Sequence, residues 1–524
     1  MYNERFPYAL PVLSALLLVI TLPPFNLWPF VLVALVPLYL FILREKSLFK
    51  ISAGALFLGL IFSGYIFSIT LAGFNWIPQA HLFSTLVKWM AIPIVLLISI
   101  ASALALCLFG ARKERLVPLE RVIFFGTFFA VTQWVISYAL MGFNYGSLAY
   151  PAIHIPALRF IAGFGGAFLV TFAVAFGNAA LAEALRFLAQ KDRKDFALLA
   201  PVCVFVVIVG MSSAYQYLSL LPSTSTSSSL SVAIIQDSTR KESEAFGEVV
   251  DGTFQFPLLE QYMKEAAALH PDIIIYPFSP WEGVISAKLD NSAFNTNIIG
   301  MDFATFGKWL STHVPRETTL VTWNTHLENG IYWNDIDFWK DGALVASHQK
   351  THLFPFMDYT PQWSQQLGVY SLPYDGTAGT STAPIEIGGV SIGNLVCSEV
   401  ALPESALENG KDADVLFAIG SEAMFSSPIP SEFNLLNAQL RAAELGRMVI
   451  RANKFGPSAL VDSRGNIVNE LARDESGILF VTVPVQTKRT VTLYSRVTEY
   501  PFLILLLGYT LFLIMRKPAR ERAS

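Results

Sequence analysis

Cys397 ends the apolar run Ile392-Gly393-Asn394-Leu395-Val396, and a carboxylate, Glu399, stands two residues further on. Such a run reads as a buried strand that delivers a thiol beside an acid. A thiol nucleophile needs a base or a cation that favours the thiolate, and a group that stabilises an oxyanion. The cation candidate is Lys350, at the end of an expected strand, in Lys350-Thr351-His352-Leu353-Phe354-Pro355-Phe356-Met357-Asp358-Tyr359. The apolar residues 353–356 favour burial of that lysine, a buried ammonium needs a carboxylate partner, and Asp358 is in place to supply one. Glu399 also reads as a plain surface carboxylate, and His352 as a packing or solvated residue. The other two cysteines, Cys107 and Cys203, lie in apolar runs and read as small buried hydrophobes. There is no C-x-x-C, and the seven histidines show no metal-ligand spacing.

The elements that must position these groups begin in lipid. Of the 524 residues, 53% are hydrophobic and only 15% charged, against about 25% charged in an ordinary soluble protein. The mean hydropathy is +0.49. A net charge of −4 argues for no strongly acidic or basic partner, and no basic stripe with interleaved aromatics suggests nucleic acid. Seven apolar runs come first, near 8–23, 27–43, 51–72, 87–111, 122–141, 157–185 and 197–220, and an eighth near 499–515. Most approach the ~20 residues that cross a bilayer as a helix; the first, second and last are short. The first run lacks a small-residue cleavage site and does not read as a removable signal peptide.

Loop charges alternate. Arg44, Lys46 and Lys50 follow the second run; Arg112, Lys113, Arg115 and Arg121 separate the fourth and fifth; Arg186, Lys191, Arg193 and Lys194 separate the sixth and seventh; Arg516, Lys517, Arg520 and Arg522 follow the eighth. The intervening loops, around 23–27, 73–86 and 142–156, carry no Lys or Arg. The positive-inside rule then puts both termini in the cytoplasm and residues 221–498 outside it. The expected organisation is seven spans over 1–220, an external domain over 221–498, a final span over 499–515 and a cytoplasmic tail over 516–524.

Residues 221–229, Leu-Pro-Ser-Thr-Ser-Thr-Ser-Ser-Ser, read as a flexible linker. After them the apolar runs shorten. Strands are expected at 230–236, 272–277, 318–323, 331–339, 343–349, 391–397, 413–419, 448–452, 457–462 and 477–484, with helices at 258–269 and 431–446. Turns at 340–342, 388–389 and 462–465 suit hairpins. The mixture implies an α/β layered domain with a covered sheet.

Taken together and in order, the motifs resemble the apolipoprotein N-acyltransferase family, a membrane branch of the nitrilase (carbon–nitrogen hydrolase) superfamily. Lys350 to Pro361 resembles its K-x-x-L-V-P-F-G-E-Y-x-P segment, Val396-Cys397-Ser398-Glu399 its I-C-Y-E, and Arg441-Ala442-Ala443-Glu444-Leu445-Gly446-Arg447 its R-A-x-E-x-G-R. Arg451-Ala452, Gly456 and Val461-Asp462-Ser463-Arg464-Gly465 follow in the family's order. Residues 23–29 and 142–145 look like its membrane loops. The resemblance implies a polytopic α-helical membrane domain and an external nitrilase-like α-β-β-α sandwich in the bacterial cytoplasmic (inner) membrane. It implies ping-pong acyl transfer from a phospholipid, through a Cys397 thioester, to the N-terminal amine of a diacylglyceryl-cysteine apolipoprotein. Lys350 would stabilise the oxyanion, with Asp358 and Glu399 in support. No metal or organic cofactor is implied. The apolar loops Trp363–Tyr374 and Met424–Phe433 read either as lipid-dipping or as ordinary packing.

The pattern also departs from the family. Its third catalytic residue is a Glu in W-P-E, and this chain has Tyr276-Pro277-Phe278. Met357 stands for a Gly, Asp358 for a Glu, Ser398 for an aromatic residue, Ser421-Glu422 for Asn-Asp and Lys454 for Asn. Three arrangements are open: Glu282 supplies the base from four residues further on; Glu399 does so, or Lys350 alone holds a thiolate; or the domain binds lipid or lipoprotein without catalysis. An amidase-type hydrolase is a fourth. The orientation has its own test. A reporter enzyme fused at the tip of the 286–296 loop is expected to be active only outside the cytoplasm, and cytoplasmic activity contradicts it.

Overall fold

The computed structural model describes residues 7–73, 81–140, 145–190, 195–219, 226–238, 256–277, 285–286, 301–328, 331–368, 375–422, 425, 427–486 and 491–516. The chain divides into two compact units: Met1–Ala72 with Leu86–Leu220 and Thr492–Ser524, and Gly73–Thr85 with Leu221–Val491.

The first unit is helical. Among the described residues, five helices are long and apolar enough to cross a membrane: Leu48–Ile69, Ile92–Arg115, Pro118–Ala139, Ala162–Leu188 and Phe196–Tyr215. Three shorter apolar helices are Ala9–Ile20, Trp28–Arg44 and Tyr500–Met515. The sixth run does not form one unbroken helix, because Gly165 and Gly166 (φ 65°) leave helical geometry inside it. Cys203 is exposed on this unit and Cys107 half-buried, so neither is the buried hydrophobe expected; apolar helix faces that would meet lipid do not require burial in protein. Two buried polar side chains in the helical packing are well paired, which a low-dielectric setting favours. Buried Glu183 accepts from the Tyr39 hydroxyl at 2.8 Å, Arg121 Nε at 2.8 Å and Arg186 Nη1 at 2.5 Å. Asn178 accepts from Leu35 N at 2.9 Å and donates to the Val31 carbonyl at 2.8 Å.

The second unit is built on strands β1 (Thr226–Gln236), β2 (Ile273–Tyr276), β3 (Ile285–Ser286), β4 (Met301–Asp302), β5 (Thr319–Glu328), β6 (Ile331–Lys340), β7 (Ala343–Gln349), β8 (Ile385–Ile387), β9 (Val390–Val396), β10 (Val415–Ser421), β11 (Met448–Lys454), β12 (Ser458–Val461), β13 (Ile467–Leu471) and β14 (Gly477–Gln486). They form two mixed six-stranded sheets, ordered β14-β1-β2-β5-β6-β7 and β13-β12-β11-β10-β9-β8, and a two-stranded β3-β4 pair. Alternation sets the layers. Val232, Ile234, Ile273, Ile275, Val321, Ile336 and Phe338 of the first sheet share one core with Ile392, Val396, Val415, Phe417, Ile419 and Ile450 of the second. The opposite face of the first sheet buries Ile274, Tyr276, Leu320 and Trp339 with Tyr262, Met263 and Ala266 of helix Phe256–Ala267 and Leu310 of helix Phe303–His313. Helices Pro403–Gly410 and Ile429–Leu445 cover the second sheet, the latter ending on Gly446 in the left-handed region (φ 65°). This is the α-β-β-α sandwich.

Most expected strands and both expected helices lie within a few residues of those observed. Edge strand β13 was missed because its Ile-Val-Asn-Glu-Leu is largely exposed and shows no apolar alternation. Helices Phe303–His313 and Pro403–Gly410 were likewise not expected.

Two glycines let β9 sit where it does. A methyl on Gly393 would collide with the Asn409 carbonyl oxygen and come within 2.9 Å of the Leu416 side chain; one on Gly420 would reach within 3.1 Å of Cys397 Cα. Gly393→Ala is expected to cost about 1–3 kcal/mol through overpacking, read as a lowered urea midpoint of the purified protein. An unchanged midpoint contradicts this close approach.

Candidate active site

β9, β10 and β11 are parallel, with Val396 beside Ile419 and Ser421 beside Lys454 in register. The expected strand runs through Cys397; the observed one stops at Val396. Cys397 itself adopts φ 52° and opens the turn Cys397–Ala401. A non-glycine residue in the left-handed region is uncommon and costs on the order of 1–3 kcal/mol unless its surroundings impose it.

Glu399 imposes it. Its Oε2 accepts from the backbone N–H of Val396 at 2.8 Å, across the thiol-bearing residue. Its Oε1 accepts from Thr351 N at 2.9 Å, Thr351 Oγ1 at 2.7 Å and His352 N at 2.9 Å. One carboxylate thus ties the cysteine turn to the chain that follows Lys350. Glu399 is fully buried, so the surface reading of it is wrong. Burial alone would raise its pKa, but hydrogen bonding to His352, the charge of His348, the Val396 N–H and Lys350 hold it at about 2. A carboxylate so committed is a poor proton acceptor near neutral pH. The same contact with Glu399 raises the pKa of His352 against the opposing effect of burial.

Lys350 and Asp358 are 2% and 6% exposed. Lys350 Nζ donates to Asp358 Oδ2 at 2.5 Å, and that oxygen also accepts from Phe354 N at 2.6 Å. Asp358 Oδ1 accepts from Asn334 Nδ2 at 2.7 Å, while Lys350 N bonds the Asn334 carbonyl at 2.8 Å. Burial pushes the ammonium pKa down, but Asp358, then Cys397 and Glu399, outweigh it and leave it raised. The Lys350 charge therefore sits within electrostatic reach of the thiol and remains an ammonium. Cys397 is half-buried, so its thiol is more open than the charged groups arranged around it.

The structure brings together Cys397, Lys350, Asp358 and Glu399. Phe278 and Glu282 lie outside the described residues, as do parts of the two apolar loops (369–374, 423–424 and 426). Sequence reasoning missed Asn334, which orients Asp358. Its signal was a polar triplet, Asn334-Asp335 and Asp337, inside a strand whose centre is wholly buried.

Residues 14–180 match the apolipoprotein N-acyltransferase N-terminal domain family, and residues 262–492 the carbon-nitrogen hydrolase family. Among similar proteins, an apolipoprotein N-acyltransferase of Azotobacter vinelandii is 27% identical over 96% of this chain and 93% of its own. One from Shewanella oneidensis is 25% identical over 74% of this chain and 72% of its own. A nitrilase-superfamily amidase of Nesterenkonia, of known structure, is 18% identical, covers 49% of this chain and 90% of its own, and has a TM-score of 0.36.

The Glu399 tie predicts a pH-dependent stability. The folded pKa of about 2 lies below the ~4.3 of an unfolded glutamate. The contribution is therefore complete above about pH 5 and is lost as pH falls towards 2. Glu399→Gln is expected to lower stability at pH 7 by about 1–3 kcal/mol, and the gap between the two urea curves to narrow by pH 3. A gap that is constant with pH contradicts the tie.

Proposed function

This chain belongs to the apolipoprotein N-acyltransferase family, and from that premise we propose that it moves a fatty acyl chain from a phospholipid to the N-terminal amine of a diacylglyceryl-cysteine apolipoprotein. The observation that carries the proposal is the Glu399 carboxylate, which binds the Cys397 turn and the Lys350 segment at once. In the first half-reaction the Cys397 sulfur attacks the donor ester carbonyl. Its proton passes to a base and the carbonyl oxygen takes the negative charge. The oxyanion then collapses, the ester C–O bond breaks, the lysophospholipid takes the proton back from the base as it leaves, and the acyl group stays on the sulfur as a thioester. In the second, the lipoprotein amine attacks the thioester, an amide forms and the thiol returns.

Lys350 is assigned to the oxyanion, where a fixed ammonium in a water-poor site stabilises charge that develops only in the transition state. Asp358 and Asn334 hold it there as positioning residues. Glu282 is the proposed base in place of the family's Glu, since Phe278 cannot accept a proton and both oxygens of Glu399 are engaged. The orientation carried forward has both termini in the cytoplasm of a bacterium, the last span at 499–515, and residues 221–498 facing the outer side of the inner membrane; alternation of Lys and Arg between loops supports it. Trp363 and Leu367 are 42% and 70% exposed, in keeping with a loop that meets lipid.

The experiment is acyl trapping. Purified protein incubated with an alkyne-tagged phospholipid is expected to carry a hydroxylamine-labile label that Cys397→Ala abolishes. Lys350→Met is expected to slow labelling by about 10²–10³-fold, and Glu282→Gln by about 10²–10⁴-fold if it is the base. Wild-type protein that binds the lipid but never acquires label would instead be a non-catalytic lipid- or lipoprotein-binding relative.

A further inference from the structure

Behind Asn334, on the other face of the first sheet, lies a second group of chemistry-bearing side chains. β5 and β6 are antiparallel, with Asn324 opposite Asp335 and Thr322 opposite Asp337. Alternation puts Asn324 and His326 on the same face as Asp335 and Asp337. One ligand atom each from His326, Asp335 and Asp337 lies within 4.8 Å of the others. His326 Nε2 is 2.8 Å from Asp337 Oδ2, and His326 Nδ1 is 3.4 Å from Asp335 Oδ2. Asn324 Nδ2 reaches Asp337 Oδ2 at 2.6 Å.

Asp335, Asp337 and Asn324 are 2%, 0% and 1% exposed. Each keeps an Oδ1 atom with no hydrogen-bond donor. Three buried acceptor oxygens thus lack donors, and among the described residues the basic group in ion-pair range of both carboxylates is one imidazole. A buried acceptor left without a donor, or a carboxylate without its full countercharge, is costly. A cation held by the two carboxylates and the imidazole supplies the missing charge.

We propose that His326, Asp335 and Asp337 form a binding site for one divalent first-row metal ion of the zinc or manganese class. One imidazole nitrogen with two carboxylates is a donor set that suits these ions and not the soft, thiolate-seeking ones. Ligand atoms in a compact shell with bonds of about 2.0–2.2 Å lie roughly 3 Å apart; His326 Nε2 and Asp337 Oδ2 are 2.8 Å apart, and one ligand atom from each of the three residues lies within 4.8 Å of the others. The ion would pin β5 to β6 at the residue next to Asn334, and so act as a structural brace for the carboxamide that orients Asp358. It takes no part in acyl transfer, and its test uses no activity.

The competing occupant is a proton, since burial, above all, and the neighbouring Asp337 push the Asp335 carboxyl up to about 7 against the pull of His326 and a hydrogen bond from Ser347. Tag-free, full-length protein in detergent is stripped with chelator and then exposed to Zn²⁺ or Mn²⁺ alone at micromolar concentration. About one ion per chain is expected to survive gel filtration, with a rise in Tm of several degrees over the stripped protein. Asp335→Asn and Asp337→Asn are each expected to remove both effects. Wild-type protein that retains neither metal, or whose Tm is the same with and without it, overturns the proposal and leaves a shared proton in the site; because this readout is on the wild-type chain, it does not depend on the variants folding.

Discussion

A single buried carboxylate carries the geometry of the second unit's site. Glu399 accepts four hydrogen bonds, one from the residue before the thiol and three from the two residues after Lys350. It ties the left-handed Cys397 turn, at the end of a strand of one sheet, to the segment after Lys350, at the end of a strand of the other. With it, a strained backbone position is held by charge-assisted bonds, each stronger than a neutral one. The sandwich core beneath supplies rigidity: β9 and β10 are buried along their whole length, so the strand end that presents the thiol has little freedom to move.

The same logic runs outward to Lys350. Its ammonium is buried, which is unfavourable in isolation, and Asp358 offsets that with a 2.5 Å contact. Asp358 is one methylene shorter than the glutamate of the family pattern. Its reach is completed from the strand side by Asn334 and from the loop side by Phe354 N. Asp358 therefore works as part of a three-sided clamp, and the substitution of Asp for Glu does not disconnect the lysine.

Much of this was legible in the sequence, for reasons particular to each element. Cys397 and Lys350 stand out because polar, reactive residues at the ends of buried strands break an apolar run. The apolar helices are legible because a span of that length and hydropathy has few soluble explanations. The role of Glu399 was not legible, since i+2 spacing from a cysteine does not reveal that its side chain turns back to bond the chain 47 and 48 residues earlier. Asn334 was hidden because its partner, Asp358, is 24 residues away across a loop. The His326–Asp335–Asp337 group was invisible to any ligand-spacing rule because two antiparallel strands assemble it. Cys107 and Cys203 were misjudged because apolar surroundings on a lipid-facing helix look the same in sequence as a protein core.

The account stands on Cys397 as an acyl carrier that discharges to an amine. The direct measurement is a single-turnover chase. Protein carrying a preformed acyl label on Cys397 is mixed with a synthetic diacylglyceryl-cysteine peptide, and label on the protein, the peptide and free fatty acid is followed by mass spectrometry. The account predicts that label leaves the protein only when peptide is present and appears as an amide on its N-terminus. Release as free fatty acid at the same rate with or without peptide would contradict it and mark the chain as a hydrolase.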